Sequence, residues 1–213
     1  MSRVPVAVLI SGSGTNLQAL IDACASDDFP ATIAVVVSNR RDAFGLERAR
    51  QAGIPAVWIP HRGKARAEFD GELVACLQAH GVEWVCLAGF MRIVTEVLLG
   101  AFPGRVLNIH PALLPAFPGT HGQAQALGGG VRIAGATVHF VDGGTDTGPI
   151  VAQGAVPVLP EDDEDALKQR ILRVEHRLYP QVLRQAAEGR LRVEGRTVHV
   201  DLAPGETSAL FLS

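Results

Sequence analysis

The sequence predicts an α/β fold: a doubly wound, mostly parallel β-sheet in a single domain. Two observations carry this prediction. Short apolar, β-branched runs alternate with segments of helical spacing as far as residue 110, and this alternation implies right-handed βαβ crossovers. The runs are also apolar throughout, as in parallel strands that are buried on both faces. No linker divides the 213-residue chain, and one compact domain is the default for that length.

The first half of the chain contains five predicted strands separated by helices. The strands are residues 4–10 and 32–39, and the segments "PAVWIP", "VEWVCLAG" and "RVLNIH". The helices are "NLQALIDACA", "GLERARQAG" and "RAEFDGELVACLQAHG", of which the last two end in glycine, as at a C-cap. Ligands bind at the carboxyl ends of strands in such sheets. We therefore expect function in "SGSGTN", "SNRRDAFG", "AGFMRIV" and "NIHPALLP".

Beyond Pro118 the pattern changes to two apolar β runs around the glycine-rich "DGGTDTGP", followed by a long amphipathic helix. Acidic residues crowd the start of this helix, as the helix dipole favours. Its apolar stripe comprises Leu167, Ile171, Val174, Leu178 and Val182. Pro180 is expected to kink the helix or end its first segment. A hairpin turning at Glu194-Gly195 follows, and residues 202–213 are expected to form a loose extension.

The composition argues against several classes of function. A net charge of −3 and a pI near 6.1 give no electrostatic reason to expect nucleic acid or an acidic membrane surface as partner. The N-terminus lacks a secretory signal and no apolar run could span a bilayer, so a cytoplasmic protein is expected. Cys24, Cys76 and Cys86 show no CxxC spacing. They are predicted to be buried free thiols, and no metal site is expected.

The segment "SGSGTN", residues 11–16, lies between the first strand and the first helix. Glycines let backbone N–H groups approach a ligand and a helix N-terminus favours negative charge, so a phosphate would fit here. The segment is not a Walker A loop, because no Gly-Lys-Ser/Thr follows, and it lacks the third glycine of a dinucleotide fingerprint. The alternative is a tight turn in which Thr15 or Asn16 caps the helix.

Asn108 and His110 flank Ile109 at the end of the fifth strand, and an extended chain points both to the same face. An amide beside an imidazole suits stabilisation of a developing oxyanion together with proton transfer. Pro111 and Pro115 restrict the segment that follows, which would hold the pair rigidly. The alternative is a histidine with a purely structural role.

The segment "VDGGTDTGPI" offers Asp142 and Asp146 as partners for His110. A carboxylate beside the imidazole would orient it and favour its protonated form. Spacing does not decide which aspartate, if either, meets the histidine, and a plain turn is the alternative. Two other histidines have weaker claims. His139 alternates with apolar residues and is read as facing the other side of the sheet, and His176 lies on the long helix.

In this order, the segments resemble the glycinamide ribonucleotide formyltransferases, the folate-dependent enzymes of purine synthesis. The resemblance covers about residues 4–192 and includes "VLISGSGTNLQALIDAC", "LAGFMRI", "LNIHPALLP", "TVHFVDGGTDTGPIVAQGAVPV" and "EHRLYP". It implies a Rossmann-like N-terminal half and a formyltransferase-type C-terminal half. The implied organisation is a formyltransferase domain over residues 1–200 and a C-terminal tail over residues 201–213.

The resemblance also implies roles for individual residues. Asn108, His110 and Asp146 look like the catalytic residues that move a formyl group from the co-substrate 10-formyltetrahydrofolate to glycinamide ribonucleotide. The residues similar to the family's phosphate loop and ribose-binding acid are Gly12, Ser13, Gly14, Thr15, Asn16 and Glu175. The residues that fall where the family holds folate are Arg66, Met91, Arg92, Ile93, Val94, Asn108, Asp142, Gly143, Gly144, Thr145 and Asp146. The implied enzyme needs no metal and is a monomer or a homodimer.

Two positions depart from the family pattern. Leu172 stands where relatives often carry Lys or Gln for the phosphate, so Arg173 or Lys168 would have to substitute, and Gln123 stands where a second histidine is common.

Alternative functions would be accompanied by additional domains or by a different surface. A formyltetrahydrofolate hydrolase would carry an additional N-terminal domain, and a methionyl-tRNA formyltransferase a C-terminal domain with basic surface. A non-catalytic nucleotide- or folate-binding module is the alternative from another class.

Overall fold

The structure, a computed structural model, describes residues 2–204, 206–207 and 209–211. The chain forms two compact units, and the division between them falls between Asn108 and Ile109. Strands alternate with helices, and most strand pairs are parallel. The predicted α/β class with a mostly parallel sheet is therefore confirmed. No helix in the described ranges is long and apolar enough to cross a membrane.

The first unit is a parallel sheet whose strands are linked by helices. Its elements are β1 Val4–Ile10, α1 Thr15–Cys24, β2 Ala31–Ser38, α2 Phe44–Gln51, β3 Ala56–Trp58, α3 Arg66–Ala79, β4 Trp84–Leu87, α4 Glu96–Ala101 and β5 Val106–His110, which crosses the division. The strands lie in the order β3-β2-β1-β4-β5. Because all of these pairs are parallel, the carboxyl ends of the strands lie at one edge of the sheet.

The core of the first unit is centred on β1. Every residue from Val6 to Ile10 is fully buried, as expected for a strand that has a parallel neighbour on each side and no polar residue on either face. Leu73 and Leu77 of α3 are also fully buried, and such burial stabilises the fold by about 1.5–3 kcal/mol per side chain. The cysteines are free thiols as predicted, although Cys76 is only half-buried. Burial raises the pKa of the Cys24 thiol to about 11.

The second unit is a mixed sheet against which one long helix packs. Its elements are α5 Gly122–Gly128, β6 Ile133–Phe140, β7 Ile150–Pro157, α6 Glu164–Ala187, β8 Leu191–Glu194, β9 Thr197–Val200 and β10 Ala209–Phe211. β6 pairs antiparallel with β7, and β8 with β9. β9 and β10 each pair in parallel with β7. Leu167, Ile171 and Val174 of α6 pack in one cluster with Ala136 of β6 and Val156 of β7.

Two outcomes were expected at Pro180, a kink in the long helix or the end of its first segment, and the second is wrong. α6 runs through this proline, from an N-cap at Asp163 whose side chain accepts the Ala166 N–H at 2.8 Å. Leu178 and Val182, on either side of Pro180, are both fully buried. The continued burial of the apolar stripe outweighs the roughly 3 kcal/mol that a proline costs inside a helix.

The C-terminal segment is held in place, and the expected loose extension is wrong for its described part. Arg190 donates two hydrogen bonds to the Glu206 carboxylate, at 2.6 and 2.9 Å. The Ala203 N–H donates to the same carboxylate at 3.0 Å. These contacts, with Arg190 the strongest, lower the pKa of Glu206 to about 2. Beyond Glu206, β10 extends the sheet by pairing with residues 153–155 of β7.

Candidate active site

His110 ends β5 with both of its ring nitrogens facing hydrogen-bond acceptors. Nδ1 lies 3.4 Å from Oδ2 of Asp146, and Nε2 lies 2.8 Å from the carbonyl oxygen of Phe117. The Asp146 carboxylate and the Phe117 carbonyl can only accept hydrogen bonds. The two ring nitrogens can therefore donate to them at the same time only when each carries a proton. His110 is 4% exposed, and Asn108, two residues earlier on the same strand, is half-buried. The arrangement suits an imidazolium that donates hydrogen bonds.

Phe117 adopts a backbone conformation that a side chain rarely takes, with a φ of +54°. Its ring packs against the cluster that contains Ala126 and Ile171, which offsets the strain of the left-handed conformation. The carbonyl of Phe117 is thereby held against His110. Sequence reasoning gave Phe117 no role, because no residue type signals a carbonyl contact of this kind.

Asp146 accepts hydrogen bonds on one oxygen and faces a second histidine with the other. Oδ2 accepts the Gly119 N–H at 2.8 Å, and Oδ1 lies 3.7 Å from Nε2 of His139. Burial of the carboxyl favours a raised pKa, but the His139 ring, the Gly119 N–H and the charge of His110 together hold the pKa of Asp146 below its usual range. Asp146 is therefore an anion at neutral pH, placed between two imidazole rings.

His139 lies beside Asp146, whereas the sequence suggested that it faces the other side of the sheet. It is 1% exposed, and its Nδ1 lies 2.7 Å from the carbonyl oxygen of Phe140. The misplaced prediction came from treating His139 as one polar residue in an apolar alternation. The available signal was its position at the end of β6, next to the loop that carries Asp146.

Asp142 shapes the loop instead of contacting the histidine. Its Oδ1 accepts the Gly144 N–H at 3.0 Å and the Thr147 hydroxyl at 2.6 Å, which closes a turn. The guanidinium of Arg196, in the turn between β8 and β9, donates to the Thr147 carbonyl at 3.0 Å. Of the two aspartates that the sequence left open, Asp146 is therefore the one beside His110.

The proline-containing segment after His110 is held by side chains as well as by its own stiffness. The Thr137 hydroxyl donates to the Ala112 carbonyl at 2.7 Å and accepts the Leu114 N–H at 3.1 Å. Gln153, paired with Thr137 across β6 and β7, donates to the Leu114 carbonyl at 2.9 Å and to the Thr137 hydroxyl at 3.0 Å. Sequence reasoning credited the prolines alone and missed Thr137 and Gln153.

In the first unit, the glycine-rich loop leaves the N-terminus of α1 open. Gly14 is the N-cap, with a φ of +71° and no side-chain cap, so the alternative in which Thr15 or Asn16 caps the helix is wrong. A Cβ atom on Gly14 would lie 2.7 Å from the Cα of Gly45 on α2, so glycine is required by packing as well as by φ. The uncapped first turn presents backbone N–H groups to an anion.

Arg48 of α2 supports this loop and was not identified from the sequence. Its Nε donates to the Ser13 carbonyl at 2.9 Å, and its Nη1 donates to Gln18 of α1 at 3.1 Å. The guanidinium also lies over the ring of Phe44, 5.0 Å from its centroid. Arg48 places a positive charge at the loop. It lies 35 positions after Ser13 in the chain, so no local sequence motif includes both residues.

The segment Met91–Val94 follows β4 and exposes apolar side chains. Met91 is 72% and Ile93 49% exposed, while Val94 is buried. Arg92 lies over the ring of Phe69 at 4.3 Å from its centroid. An exposed apolar surface of this kind, at the carboxyl end of parallel strands, suits a flat ring system.

The remaining residues named from the sequence have these positions. Arg66 is exposed at the start of α3, and Glu175 is 4% exposed in the middle of α6. Leu172 is half-buried on the same helix. Within the described ranges, no group of three or more His, Cys, Asp and Glu residues could hold a metal ion. The structure thus brings His110, Asp146 and His139 together in the second unit, and the phosphate-loop and Met91–Val94 segments to one sheet edge in the first.

Comparison with known proteins bears on what this arrangement does. Residues 4–183 match the family described as formyl transferase. The phosphoribosylglycinamide formyltransferase of Escherichia coli is 44% identical over 197 residues, which cover 92% of this chain and 93% of that protein. The trifunctional purine biosynthetic protein adenosine-3 of Drosophila melanogaster is 50% identical over 190 residues, or 88% of this chain. The chain spans only 14% of the length of that trifunctional relative.

Solved structures agree with the sequence relatives. The crystal structure of glycinamide ribonucleotide transformylase 1 from Symbiobacterium toebii superimposes with a TM-score of 0.91 at 55% identity, and the match covers 93% of this chain and 94% of that chain. The family match extends over most of the chain, and both the sequence and structural relatives cover it almost end to end. The chain belongs to the formyl transferase family.

Proposed function

We propose that the chain transfers the formyl group of 10-formyltetrahydrofolate to the amine of glycinamide ribonucleotide in purine biosynthesis. The observation that carries the proposal is the pair of His110, which is buried, and Asp146, which is half-buried, 3.4 Å apart at the end of a strand that also bears Asn108. An imidazole and a carboxylate that are largely shielded from water, with an amide on the same strand, form a set that can stabilise negative charge and move a proton. The Escherichia coli relative, of which the match covers 93%, is named phosphoribosylglycinamide formyltransferase.

In the proposed reaction, the amine of the ribonucleotide attacks the formyl carbon. A new C–N bond forms and negative charge develops on the formyl oxygen. The bond from the formyl carbon to the folate nitrogen then breaks, the attacking amine loses a proton and the departing nitrogen gains one. The products are formylglycinamide ribonucleotide and tetrahydrofolate.

The protein would act on this reaction through three side chains. The Asn108 amide and the protonated His110 would donate hydrogen bonds to the developing oxyanion, and His110 would help to deliver the proton to the folate nitrogen. Nε2 of His110 points away from Asp146, so this nitrogen would serve the substrate in place of the Phe117 carbonyl. Asp146 would keep the ring oriented and charged.

The binding residues fit the two substrates by their chemistry. The open N-terminus of α1 at Gly12–Asn16 would hold the phosphate, with Arg48 adding positive charge. Glu175 would accept hydrogen bonds from the ribose hydroxyls. The segment Met91–Val94, with Arg66 and the loop from Asp142 to Asp146, would hold the folate, for which Met91 and Ile93 offer exposed apolar surface.

The experiment that tests this function follows folate absorbance with purified protein and 10-formyltetrahydrofolate, with and without glycinamide ribonucleotide. We expect tetrahydrofolate to be released only when the ribonucleotide is present, with formylated ribonucleotide recovered in equal amount. Release without the ribonucleotide would instead identify a hydrolase. No release under either condition, with binding retained, would identify a binding module.

The setting of the reaction is proposed on the same basis. We infer a cytoplasmic enzyme that works as a monomer or a homodimer on small-molecule substrates alone. The net charge of −3 supports this, because it gives no electrostatic reason to expect a nucleic acid or an anionic membrane as partner. Size-exclusion chromatography with light scattering tests the oligomeric state, and fractionation of cells that express the chain tests the compartment.

A further inference from the structure

Ser11 is a buried serine that joins two segments assigned above to different substrates. Its Oγ accepts the Met91 N–H at 2.8 Å and donates to Oδ1 of Asn39 at 2.6 Å. Its own N–H donates to the Gly89 carbonyl at 3.1 Å. The phosphate loop begins one residue after Ser11, and the folate segment begins at Met91.

The position of Met91 depends on its backbone rather than on its side chain. The side chain is 72% exposed, so packing does little to hold it. Gly89, two residues earlier, has a φ of +73° and lies on the surface. The hydrogen bond to Ser11, which is only 3% exposed, is therefore a main restraint on where the folate segment begins.

Asn39 keeps the Ser11 hydroxyl pointed in one direction. Asn39 follows β2 and is 4% exposed. Its backbone carbonyl oxygen lies 2.7 Å from Nδ1 of His61. Because the Ser11 proton is used by Asn39, a lone pair of Oγ is left for the Met91 N–H. The chain Asn39–Ser11–Met91 thus crosses the carboxyl ends of β2, β1 and β4.

We propose that Ser11 is a positioning residue for both substrates. Its hydroxyl fixes the folate segment relative to the phosphate loop, so its loss weakens the binding of ribonucleotide and folate together. The chemical step, which the proposed function gives to His110 and Asp146, is left intact. This inference rests on that proposed function.

Ser38 provides a matched control for the test. It is fully buried at the end of β2, the strand next to β1. Its hydroxyl also makes one donated and one accepted hydrogen bond, to the carbonyl and from the N–H of Arg40, at 2.9 and 3.0 Å. Ser11→Ala and Ser38→Ala therefore remove the same chemistry from the same layer, and only Ser11 contacts a substrate segment.

The test compares steady-state kinetics, calorimetric binding of glycinamide ribonucleotide and tetrahydrofolate, and thermal unfolding in the full chain. For Ser11→Ala we expect the KM and Kd of both ligands to rise about tenfold, because the Met91 N–H loses the acceptor that holds it, with kcat changed by less than about threefold. Ser38→Ala should lower the melting temperature similarly but leave both affinities within about twofold. Ser11→Cys, which keeps the volume and weakens the hydrogen bonds, serves if Ser11→Ala does not fold.

The outcomes separate the two claims. If the wild-type chain turns over and the Ser11 variants bind both ligands normally, or if Ser38→Ala weakens them equally, the role of Ser11 is refuted and the proposed function stands. If the Ser11 variants lose affinity for one ligand only, Ser11 does not position both sites and the inference is again refuted. A wild-type chain that neither binds nor converts the ligands removes the proposed function and this inference with it.

Discussion

Asp146→Asn removes the negative charge beside His110 while keeping the shape of the side chain. Asp146 is 13% exposed in its side chain, and its Oδ2 accepts the Gly119 N–H at 2.8 Å. An asparagine retains an oxygen for that hydrogen bond, so the loop should keep its conformation. What is lost is the charge 3.4 Å from Nδ1 of His110. We expect kcat to fall while both KM values change little.

The size of the effect follows from this distance. At 3.4 Å and an effective dielectric constant of about 20, a carboxylate and an imidazolium attract each other by about 5 kcal/mol. Water at the exposed part of Asp146 screens this attraction to roughly 3 kcal/mol. Since about 1.4 kcal/mol corresponds to a factor of ten in rate, kcat should fall about 100-fold.

The pH dependence gives a second check on the same variant. Because the pKa of Asp146 is held below its ordinary value of 3.8, its charge is present above that pH and is lost only as the pH falls through the lowered value. The ratio of wild-type to Asp146→Asn kcat should therefore be constant from mildly acidic to neutral pH. A ratio that fell toward one in mildly acidic buffer would contradict the lowered pKa.

The assay is tetrahydrofolate release at saturating concentrations of both substrates, and Asp162→Asn is the matched control. Asp162 is also a carboxylate of the second unit that accepts a backbone N–H, from Leu159 at 2.8 Å, and pairs with a cation, Arg170. Removing the negative charge of Asp162 should leave kcat unchanged. A kcat within about threefold of wild type for Asp146→Asn would refute the electrostatic role of Asp146.

Three further predictions concern the residues around the site and the C-terminal segment. His139→Phe should lower kcat about tenfold, because Asp146 loses a polar partner; an unchanged kcat would remove His139 from the site. Glu175→Ala should raise the KM of the ribonucleotide about tenfold with kcat retained, and an equal rise in the folate KM would contradict a ribose contact. Glu206→Gln should lower the free energy of unfolding in urea by about 1 kcal/mol at neutral pH. Because the pKa of Glu206 is lowered from 4.5 to about 2, that difference should shrink as the pH falls below 4.5, and a constant difference would refute the ion pair.

The strands of the first unit could be predicted because each is a continuous apolar run. "VPVAVLI" is β1 in full, and "RVLNIH" predicts β5 to within one residue. The short helices could not be predicted in the same way. α4 has six residues. α5 has seven, and it begins and ends with a glycine, Gly122 and Gly128. Segments of this length hold fewer than two full helical turns, too few for a 3.6-residue period to be read.

The C-terminal strand was missed for a different reason. β10 has three residues, and its partner on β7 lies more than fifty positions earlier in the chain. Nothing within a short window signals a pairing of that range, because the backbone hydrogen bonds carry no residue preference. The Arg190–Glu206 ion pair, which precedes β10, could not be predicted for the same reason. Arginine and glutamate are ordinary surface residues, and these two meet only because the chain folds back after α6.

Only part of the candidate active site could be predicted from residue spacing, because the rest depends on how the loop after β6 folds. Spacing placed Asn108 and His110 on one strand face, but it could not choose between Asp142 and Asp146. The choice is made by the loop, which folds back so that the Phe140 N–H donates to the Pro149 carbonyl at 2.9 Å. A Cβ atom on Gly148 would lie 1.8 Å from the carbonyl oxygen of Phe140, so only glycine allows this approach. Asp146, with a φ of +54°, is thereby turned back toward the end of β6, where His139 lies. The glycine is visible in the sequence, but the closure that it permits, and hence the identity of the carboxylate, is a property of the folded chain.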